Sequence, residues 1–268
     1  MKYKELLDLG SIMLKEKNKD IKDIKLLINY YKEINKIPKK RTFKKHIKKI
    51  IKGLPIQYII GNVNFCGNLI KVNKNVLIPR FETEELTSLT KDIIKKKFNK
   101  KINILDIGCG SGAIAITLKK EFEDANTIGI DISNKALKLA KKNAKINNVN
   151  ITFLQGNILS PLTNETFDVV ISNPPYIAYS EKIEEIVLNN EPHIALFTSN
   201  NGLYFYEEIL KNIKKHLKKE YLIAFEIGCN QKNRIIKLIN IYLPNSIYIT
   251  KKDLSKKDRF IFIMNKKE

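Results

Sequence analysis

The tetrapeptide Asn-Pro-Pro-Tyr at residues 173–176 combines groups that can hold a flat, hydrogen-bonding ligand. The Asn173 side chain offers one acceptor oxygen and two donor hydrogens, Pro174 offers a carbonyl oxygen, and Tyr176 offers an aromatic face. The prolines, including Pro175, fix φ at about −65°, so the segment is expected to be stiff. Two acceptors beside a flat ring suit a planar group that bears an NH₂. For so short a motif, a turn that only ends a strand is the alternative.

The residues before the tetrapeptide predict the strand that positions it. Phe-Asp-Val-Val-Ile-Ser at 167–172 is a short β-branched run followed by turn residues. This pattern is typical of a buried parallel strand. The tetrapeptide then follows the carboxyl end of a strand, where open α/β sheets bind their ligands.

A second predicted strand runs into a glycine-rich segment, Gly-Cys-Gly-Ser-Gly at 108–112, which precedes a helical pattern. Glycines let a backbone turn tightly and approach a ligand closely beneath a helix N-terminus. The third glycine comes one residue earlier than in the dinucleotide fingerprint, and no Gly-Lys-Ser/Thr follows, so this is not a P-loop. Asp106, just before the loop, is expected to face the ligand, and it suits a positively charged one.

The next predicted strand ends at Asp131, 19 residues after Gly112. An acid at this place typically binds a ribose diol. A glycine loop and a ribose-binding acid without a phosphate site indicate a nucleoside with a cationic tail, for which S-adenosylmethionine is the main candidate. A generic nucleotide-type turn with an unrelated surface aspartate is the alternative.

After residue 101 the apolar pattern alternates between strands and helices. Strands are predicted at 102–107, 126–131, 151–154, 167–172, 221–227, 246–250 and 259–264. Such alternation is typical of an α/β fold with a mostly parallel, doubly wound sheet. The last two strands are joined by a loop too short for a helix, so they predict an antiparallel hairpin at one edge.

The region before residue 55 is predicted to be helical from 3 to 52, because apolar residues recur every three or four positions. A helix after Pro38 carries a basic side, which is either a solvated face or a contact with nucleic acid, the ribosome or an acidic protein. Residues 56–79 alternate with Gly-Asn turns and predict a short hairpin. Thr83 is predicted to cap the next helix.

Composition limits the class of protein. The chain has 268 residues, 43% of them hydrophobic, which is enough for a large α/β domain with a smaller partner. No apolar run approaches the roughly 18 residues of a membrane span, and the acids in residues 1–10 argue against a secretory or transit peptide. Cys66, Cys109 and Cys229 lie far apart without metal-ligand spacing. We therefore expect a cytoplasmic protein with no membrane contact and no metal.

The formal net charge is +21, from 49 lysines and arginines against 28 acidic residues. An excess of this size favours a polyanionic partner. A chain rich in lysine, isoleucine and asparagine because of an AT-biased genome would carry the same charge. The charge therefore permits an approach to nucleic acid without establishing one.

In this order, the glycine loop, Asp131 and Asn-Pro-Pro-Tyr resemble class I methyltransferases that act on a planar nitrogen. Further segments are similar to one branch of these enzymes, the HemK/PrmC family of peptide chain release factor N5-glutamine methyltransferases. These segments are 55–61, 76–86, 191–196, 201–206, 226–231, 252–254 and 258–260. The resemblance covers about residues 21–264. It implies a Rossmann-like methyltransferase domain at 81–268, a β-hairpin linker at 55–80 and a helical substrate-recognition domain at 1–54.

The resemblance also implies roles for single residues. Those expected to bind S-adenosylmethionine are Gly108, Cys109, Gly110, Ser111, Gly112, Asp131 on the ribose, Asn157 and Ile158 near the adenine, Asn173, and Phe81, Glu82 and Thr83 from the linker side. Those expected to hold the substrate glutamine and to be catalytic are Asn173, Pro174, Pro175 and Tyr176. The chain departs from the family pattern at Phe81, at Asn157, at 198–200, which lacks the usual glycine pair, and at Lys256, which replaces a glycine.

The reaction that the resemblance implies is methyl transfer from S-adenosylmethionine to the side-chain amide of the glutamine in the Gly-Gly-Gln motif of class I release factors. It would leave S-adenosylhomocysteine and modulate translation termination. His193 is interpreted as structural, because an amide held by two acceptors needs no ordinary base. A nucleic-acid amino methyltransferase is one alternative, although a target-recognition domain is not recognisable. A non-catalytic ribosome- or release-factor-binding protein is the other, and we expect a monomer.

Overall fold

A computed structural model describes residues 2–15, 21–99 and 101–266 of the chain. The helices are α1 (Tyr3–Lys15), α2 (Lys22–Glu33), α3 (Lys40–Ile51), α4 (Ile56–Ile60), α5 (Phe81–Lys97), α6 (Ala113–Glu121), α7 (Asn134–Ile146), α8 (Glu185–Asn190), α9 (Ser199–Gly202), α10 (Tyr204–Ile213) and α11 (Lys232–Tyr242). The strands are β1 (Asn62–Phe65), β2 (Asn68–Lys71), β3 (Asn103–Ile107), β4 (Asn126–Asp131), β5 (Thr152–Gln155), β6 (Phe167–Ser172), β7 (Ile177–Ala178), β8 (Phe197–Thr198), β9 (Leu217–Glu226), β10 (Ser246–Lys252) and β11 (Asp258–Asn265).

The chain divides into two compact units. The smaller unit comprises the described residues of Met1–Asn62, Val72–Lys74 and Ile183–Asn190, and the larger one comprises those of Val63–Lys71, Asn75–Lys182 and Glu191–Glu268. No described helix combines the length and the apolar character needed to cross a lipid bilayer.

The smaller unit is helical, as predicted, although residues 16–20 of the predicted region lie outside the described residues. Its core is formed by the apolar sides of α1, α2 and α3, from which Leu6, Leu27 and Phe43 are fully buried. On α3 the basic residues lie mostly exposed opposite this core, so the amphipathic pattern is confirmed. The hairpin expected at 56–79 is shorter than predicted and consists of β1 and β2. The preceding residues form the short helix α4, which was not predicted.

The larger unit contains a seven-stranded sheet in the order β10-β11-β9-β6-β3-β4-β5. Five consecutive strands of this sheet are parallel, namely β9, β6, β3, β4 and β5. Strand β11 runs antiparallel to both β9 and β10. The predicted strands and the antiparallel edge hairpin are therefore confirmed. Because the chain proceeds outward from β3 through β5 and then returns to β6 on the other side, β3 and β6 form the topological switch point, where α/β folds bind ligands.

Burial explains why the sequence forms these strands. Every residue of β6 is buried, and Val169, Val170 and Ile171 are fully so. A strand covered on both faces selects the continuous β-branched run that predicted it. Helix α10 packs on one face of the sheet, where the Tyr206 ring meets Phe225 edge to face at 5.5 Å between centroids.

Two local features differ from the predictions. Thr83 does not cap α5, because that helix already begins at Phe81 with Arg80 as its N-cap residue. A two-residue parallel pairing of β7 with β8 was not predicted. Strands of two residues are too short to show any periodicity in the sequence.

Two of the positions that depart from the family's glycines keep a glycine-like backbone. Asn200 and Lys256 have φ of 54° and 62°, and Asn201, next to the first of them, has φ of 50°. Asparagine tolerates this left-handed region, whereas lysine adopts it with strain. The turn geometry that glycine normally provides is therefore retained by other residues.

Candidate active site

A cavity of about 270 Å³ lies at the carboxyl ends of β3, β4, β5 and β6. It brings together eight of the predicted site residues, namely Gly108, Gly110, Asp131, Asn157, Ile158, Asn173, Pro174 and Pro175. Parallel strands end at one edge of a sheet, so the loops after four different strands converge there. The two halves of the prediction, the glycine loop with Asp131 and the Asn-Pro-Pro segment, thus share one cavity.

Seven predicted residues do not line this cavity: Cys109, Ser111, Gly112, Tyr176, Phe81, Glu82 and Thr83. Within the glycine loop the reason is alternation, because Gly108 and Gly110 face the cavity whereas Cys109 and Ser111 are buried in the protein. Phe81 is 59% exposed, so it does not cover the cavity in this structure.

Asp131 is bound to the glycine loop by backbone hydrogen bonds. Its Oδ2 accepts the Gly110 N–H at 2.8 Å, and its Oδ1 accepts the Ser133 N–H at 2.8 Å. Burial raises the pKa of this carboxyl, and the two N–H donors partly offset that effect. Each oxygen keeps a further lone pair, so the carboxylate can accept two more hydrogen bonds from a ligand in the cavity.

Asp106 does not face the ligand, so this expectation is wrong. Its side chain is fully buried on the side of α6, where Oδ2 accepts the Ala115 N–H at 3.1 Å. Burial raises the pKa of the carboxyl to about 7, and its Oδ1 has no hydrogen-bond partner within the described part of the chain. The carboxylate that does line the cavity is Asp131.

Asn173 is held from behind by a chain of hydrogen bonds. Its Nδ2 donates to Thr83 Oγ1 at 2.9 Å, and the Thr83 hydroxyl donates to Glu226 Oε2 at 2.7 Å. The Tyr176 hydroxyl donates to the other carboxylate oxygen, Oε1, at 3.4 Å. With Nδ2 committed to Thr83, the amide atom of Asn173 that remains to accept from a ligand is Oδ1.

Glu226 is a buried acid in contact with the site, and the sequence analysis assigned it no role of its own. It ends β9 next to β6, and only 1% of its surface is exposed. Burial raises the pKa of its carboxyl to about 7, although Thr83 and Arg259 lower it. An acid at the end of the apolar run Leu222–Phe225 was a usable signal, since such a strand end adjoins the tetrapeptide.

The cavity has further walls for which the sequence predicted no role. They are Asn75, Val76, Leu77, Pro192, Ile194, Ala195, Tyr204 and Phe205. Glu191 connects the segment that contains Pro192 with the segment that follows Leu77. Its carboxylate accepts the Ile78 N–H at 2.9 Å and pairs with Arg80 at 2.5 Å. Of the eight lining residues just named, all except Asn75 lie in the segments that carried the family resemblance. His193 contacts the Phe197 ring edge to face and does not line the cavity.

The carbonyl of Tyr176 is fixed by neighbouring loops. Gln231 Nε2 donates to it at 2.7 Å. A Cβ atom added to Gly202, which has φ of 84°, would lie 2.3 Å from the same carbonyl oxygen. Only glycine allows this close approach, so the turn at 199–202 supports the end of the tetrapeptide.

The charge of the cavity contrasts with that of the chain. Among the described residues that line it, none is a lysine or an arginine, although the chain contains 49 of them. A Cβ built on Gly108 meets no atom within 4 Å, so the space over the loop is open. A phosphate-bearing ligand would lack a cationic partner here, whereas a cationic nucleoside finds an acid, Asp131, and mostly apolar walls.

Comparisons with known proteins agree on one chemistry. Residues 84–193 match the model of the methyltransferase small domain. The chain is 38% identical over 242 residues to the release factor glutamine methyltransferase of Bacillus cereus, which covers 88% of this chain and 85% of that protein. It is 43% identical over 212 residues to that of Flavobacterium psychrophilum, covering 77% of this chain and 74% of the relative.

Solved structures share the fold. A 16S rRNA N2 methyltransferase of T. thermophilus, in complex with AdoMet and guanosine, superposes with a TM-score of 0.57 at 14% sequence identity. The match covers 76% of this chain and 50% of that one. At this identity the likeness supports the class I methyltransferase fold and nothing finer.

Proposed function

Because this chain belongs to the family of release factor glutamine methyltransferases, we propose that it transfers a methyl group from S-adenosylmethionine to the side-chain amide nitrogen of a release factor glutamine. On the family resemblance, we propose that this glutamine is the one in the Gly-Gly-Gln motif of class I release factors. The observation that carries the proposal is the shared cavity, in which Asp131 and Asn173 line the same space.

The charge and the hydrogen-bond acceptors of the cavity are compatible with S-adenosylmethionine. Asp131 would accept from the ribose hydroxyls, Gly108 and Gly110 would allow close approach, and Asn157 with Ile158 would border the adenine. Ile158 has φ of 55°, an outlier for a β-branched residue, and strain of this kind clusters at ligand sites. When bound, the cofactor supplies a methyl group on a positively charged sulfur that a nitrogen lone pair can attack.

Asn173 and Pro174 are proposed to hold the nucleophile. A carboxamide nitrogen is a poor nucleophile because its lone pair is delocalised into the carbonyl. Asn173 Oδ1 and the Pro174 carbonyl would each accept an N–H bond from it, which orients the nitrogen and favours the positive charge that develops on it. Holding the reacting atoms in line contributes further through proximity. Tyr176 is proposed to border the amide with its ring.

The remaining parts of the prediction are proposals that rest on the family resemblance and on the sequence pattern. The helical domain at 1–54 would recognise the release factor, and the basic face of α3 would contact nucleic acid or the ribosome weakly. Phe81, Glu82 and Thr83 would lie on the linker side of the cofactor and the substrate. Because release factors act on ribosomes, the reaction is proposed to take place in the cytoplasm, with the enzyme as a monomer.

The test is transfer of labelled methyl from S-adenosylmethionine to a purified class I release factor. A release factor with glutamine replaced by alanine in its Gly-Gly-Gln motif and a mixture of DNA and RNA serve as parallel substrates. Label on the wild-type factor alone is the expected result. Label on the nucleic acid instead would overturn the proposal and make the net charge of +21 the substrate signal.

A further inference from the structure

We propose that Thr83 and Glu226 are positioning residues that fix which atom of the Asn173 amide faces the substrate. This inference rests on the proposed function, because it concerns the amide that would hold the substrate glutamine. Neither residue lines the cavity, so both act through Asn173. The three side chains come from α5, β9 and the loop after β6.

The direction of the hydrogen-bond chain follows from the chemistry of its members. An ionised carboxylate only accepts, so the single hydroxyl hydrogen of Thr83 must point to Glu226 Oε2, 2.7 Å away. The Thr83 oxygen can then only accept from Asn173, which lies 2.9 Å away. The atom of Asn173 at that contact must therefore be Nδ2, and Oδ1 is the atom left for the substrate.

Hydrogen bonds that ran in the reverse direction would disable the site. If Thr83 donated to Asn173, the amide would turn over and present Nδ2 to the cavity. An N–H donor facing the N–H donors of a glutamine amide cannot bind them, and one of the two proposed acceptors would be lost. Asparagine has no intrinsic preference between the two orientations, so the neighbours must select one.

Glu226 ends this chain of hydrogen bonds and is itself held in place by further hydrogen bonds. Its second oxygen accepts from the Tyr176 hydroxyl at 3.4 Å, and its backbone carbonyl accepts from Tyr206 at 2.8 Å. One carboxylate thus joins both ends of the 173–176 tetrapeptide. The groups that act electrostatically on it are Arg259 from β11, Glu82 from α5, and Tyr176 and Tyr206, whose own pKa values burial raises.

Protonation of Glu226 should release the constraint. Burial raises the pKa of this carboxyl to about 7, with Arg259 and Thr83 opposing the rise and Glu82 adding to it. Below that pH the protonated carboxyl can donate to Thr83, and the chain can run in either direction. Methyl transfer should therefore increase as pH rises through about 7 and level off above it.

The test compares three variants with a matched control. Thr83→Val removes the hydroxyl at nearly constant volume, Thr83→Ser keeps it, and Glu226→Gln replaces the obligate acceptor by a group that can also donate. Thr90→Val is the control, because Thr90 is also buried in α5 but its hydroxyl donates to the Leu86 carbonyl. The measurements are kcat for release factor methylation, S-adenosylmethionine affinity by calorimetry, and the pH dependence of kcat.

We expect Thr83→Val and Glu226→Gln to lower kcat roughly tenfold or more, with cofactor affinity changed less than about threefold. Thr83→Ser should retain most of the activity, and Thr90→Val should behave as the wild type. The acid limb of the wild-type pH profile should be absent in Glu226→Gln. A general loss of packing would not produce this combination.

Two results would overturn the inference while leaving the proposed function intact. One is a folded Thr83→Val variant that methylates the release factor at the wild-type kcat. The other is an acid limb in Glu226→Gln identical to that of the wild type, which decides the question if Thr83→Val fails to fold. Absence of release factor methylation in the wild type would instead overturn the proposed function and this inference with it.

Discussion

Replacing Asn173 by alanine should separate catalysis from cofactor binding. The substitution removes Oδ1, one of the two acceptors proposed to hold the glutamine nitrogen, and leaves the Pro174 carbonyl in place. Removing one preorganised hydrogen-bonding group of this kind lowers kcat about 100- to 1000-fold, or roughly 3–4 kcal/mol. The cofactor end of the cavity is not altered, because Asp131 is held by Gly110 and Ser133, with no bond to Asn173.

The assay pairs single-turnover methyl transfer with calorimetric binding of S-adenosylmethionine. For Asn173→Ala we expect the loss in the rate of transfer given above and a change of less than about fivefold in the dissociation constant of the cofactor. Asn157→Ala is the matched comparison, since it removes the same side chain from a different wall of the same cavity, the loop after β5. It should show the converse, with weaker cofactor binding and a smaller effect on the transfer step.

The reasoning would be refuted by a parallel loss of both quantities in Asn173→Ala. Cofactor binding that weakens as much as turnover would mean that Asn173 mainly forms the cofactor site. A normal single-turnover rate would mean that Pro174 alone orients the nitrogen. A melting temperature close to that of the wild type is needed in either case, because Asn173 also donates to Thr83.

Four further substitutions test other parts of the site and fold. Asp131→Ala should weaken S-adenosylmethionine binding by roughly 10- to 100-fold in calorimetry, because it removes charged acceptors and frees the glycine loop; unchanged affinity would contradict the ribose role. Gly202→Ala should lower both the melting temperature and kcat, since its Cβ would lie 2.3 Å from the Tyr176 carbonyl oxygen; a wild-type melting curve would show that the turn is not tight. Lys256→Gly should stabilise the protein by about 0.5–1 kcal/mol in urea unfolding, because it relieves a φ of 62°; destabilisation would mean that the lysine side chain matters more than its backbone. Burial raises the pKa of Asp106 to about 7, so its contribution to stability is present below about pH 4 and is lost as pH rises through 7. The free energy of unfolding of Asp106→Asn, relative to that of the wild type, should therefore increase by on the order of 2 kcal/mol between pH 5 and about pH 8. A difference that stays constant with pH would refute the raised pKa.

The sequence predicted the parts of the fold that local pattern determines. The β-branched run before Asn173 and the glycine loop at 108–112 are continuous segments, and each specifies a strand end by itself. Parallel pairing then brings those ends together at one edge, so the meeting of Asp131 with Asn173 in one cavity could be expected. These features need no knowledge of long-range side-chain contacts.

The features that were missed depend on contacts between distant segments. The bond between Thr83 and Glu226 joins residues 143 positions apart, and the β7–β8 pairing involves two residues on each side. Neither leaves a periodic trace in the sequence. The prediction for Asp106 is wrong for a different reason. Adjacency to the glycine loop does not imply exposure to the ligand, because the Asp106 side chain points to the face of the sheet that α6 covers.

The distribution of charge separates the chemistry of the site from the net charge of the chain. A lysine ammonium about 4 Å from the cationic sulfur of the proposed cofactor would be unfavourable by roughly 4 kcal/mol at an effective dielectric constant of 20. Electrostatics therefore explains why a chain with 49 lysines and arginines presents none among the described residues of the cavity. The basic residues of α3 lie in the smaller unit and belong to its own exposed face. Whether the net charge of +21 reflects a polyanionic partner or the composition of the genome, it can act on the approach of a partner and not on the methyl transfer itself.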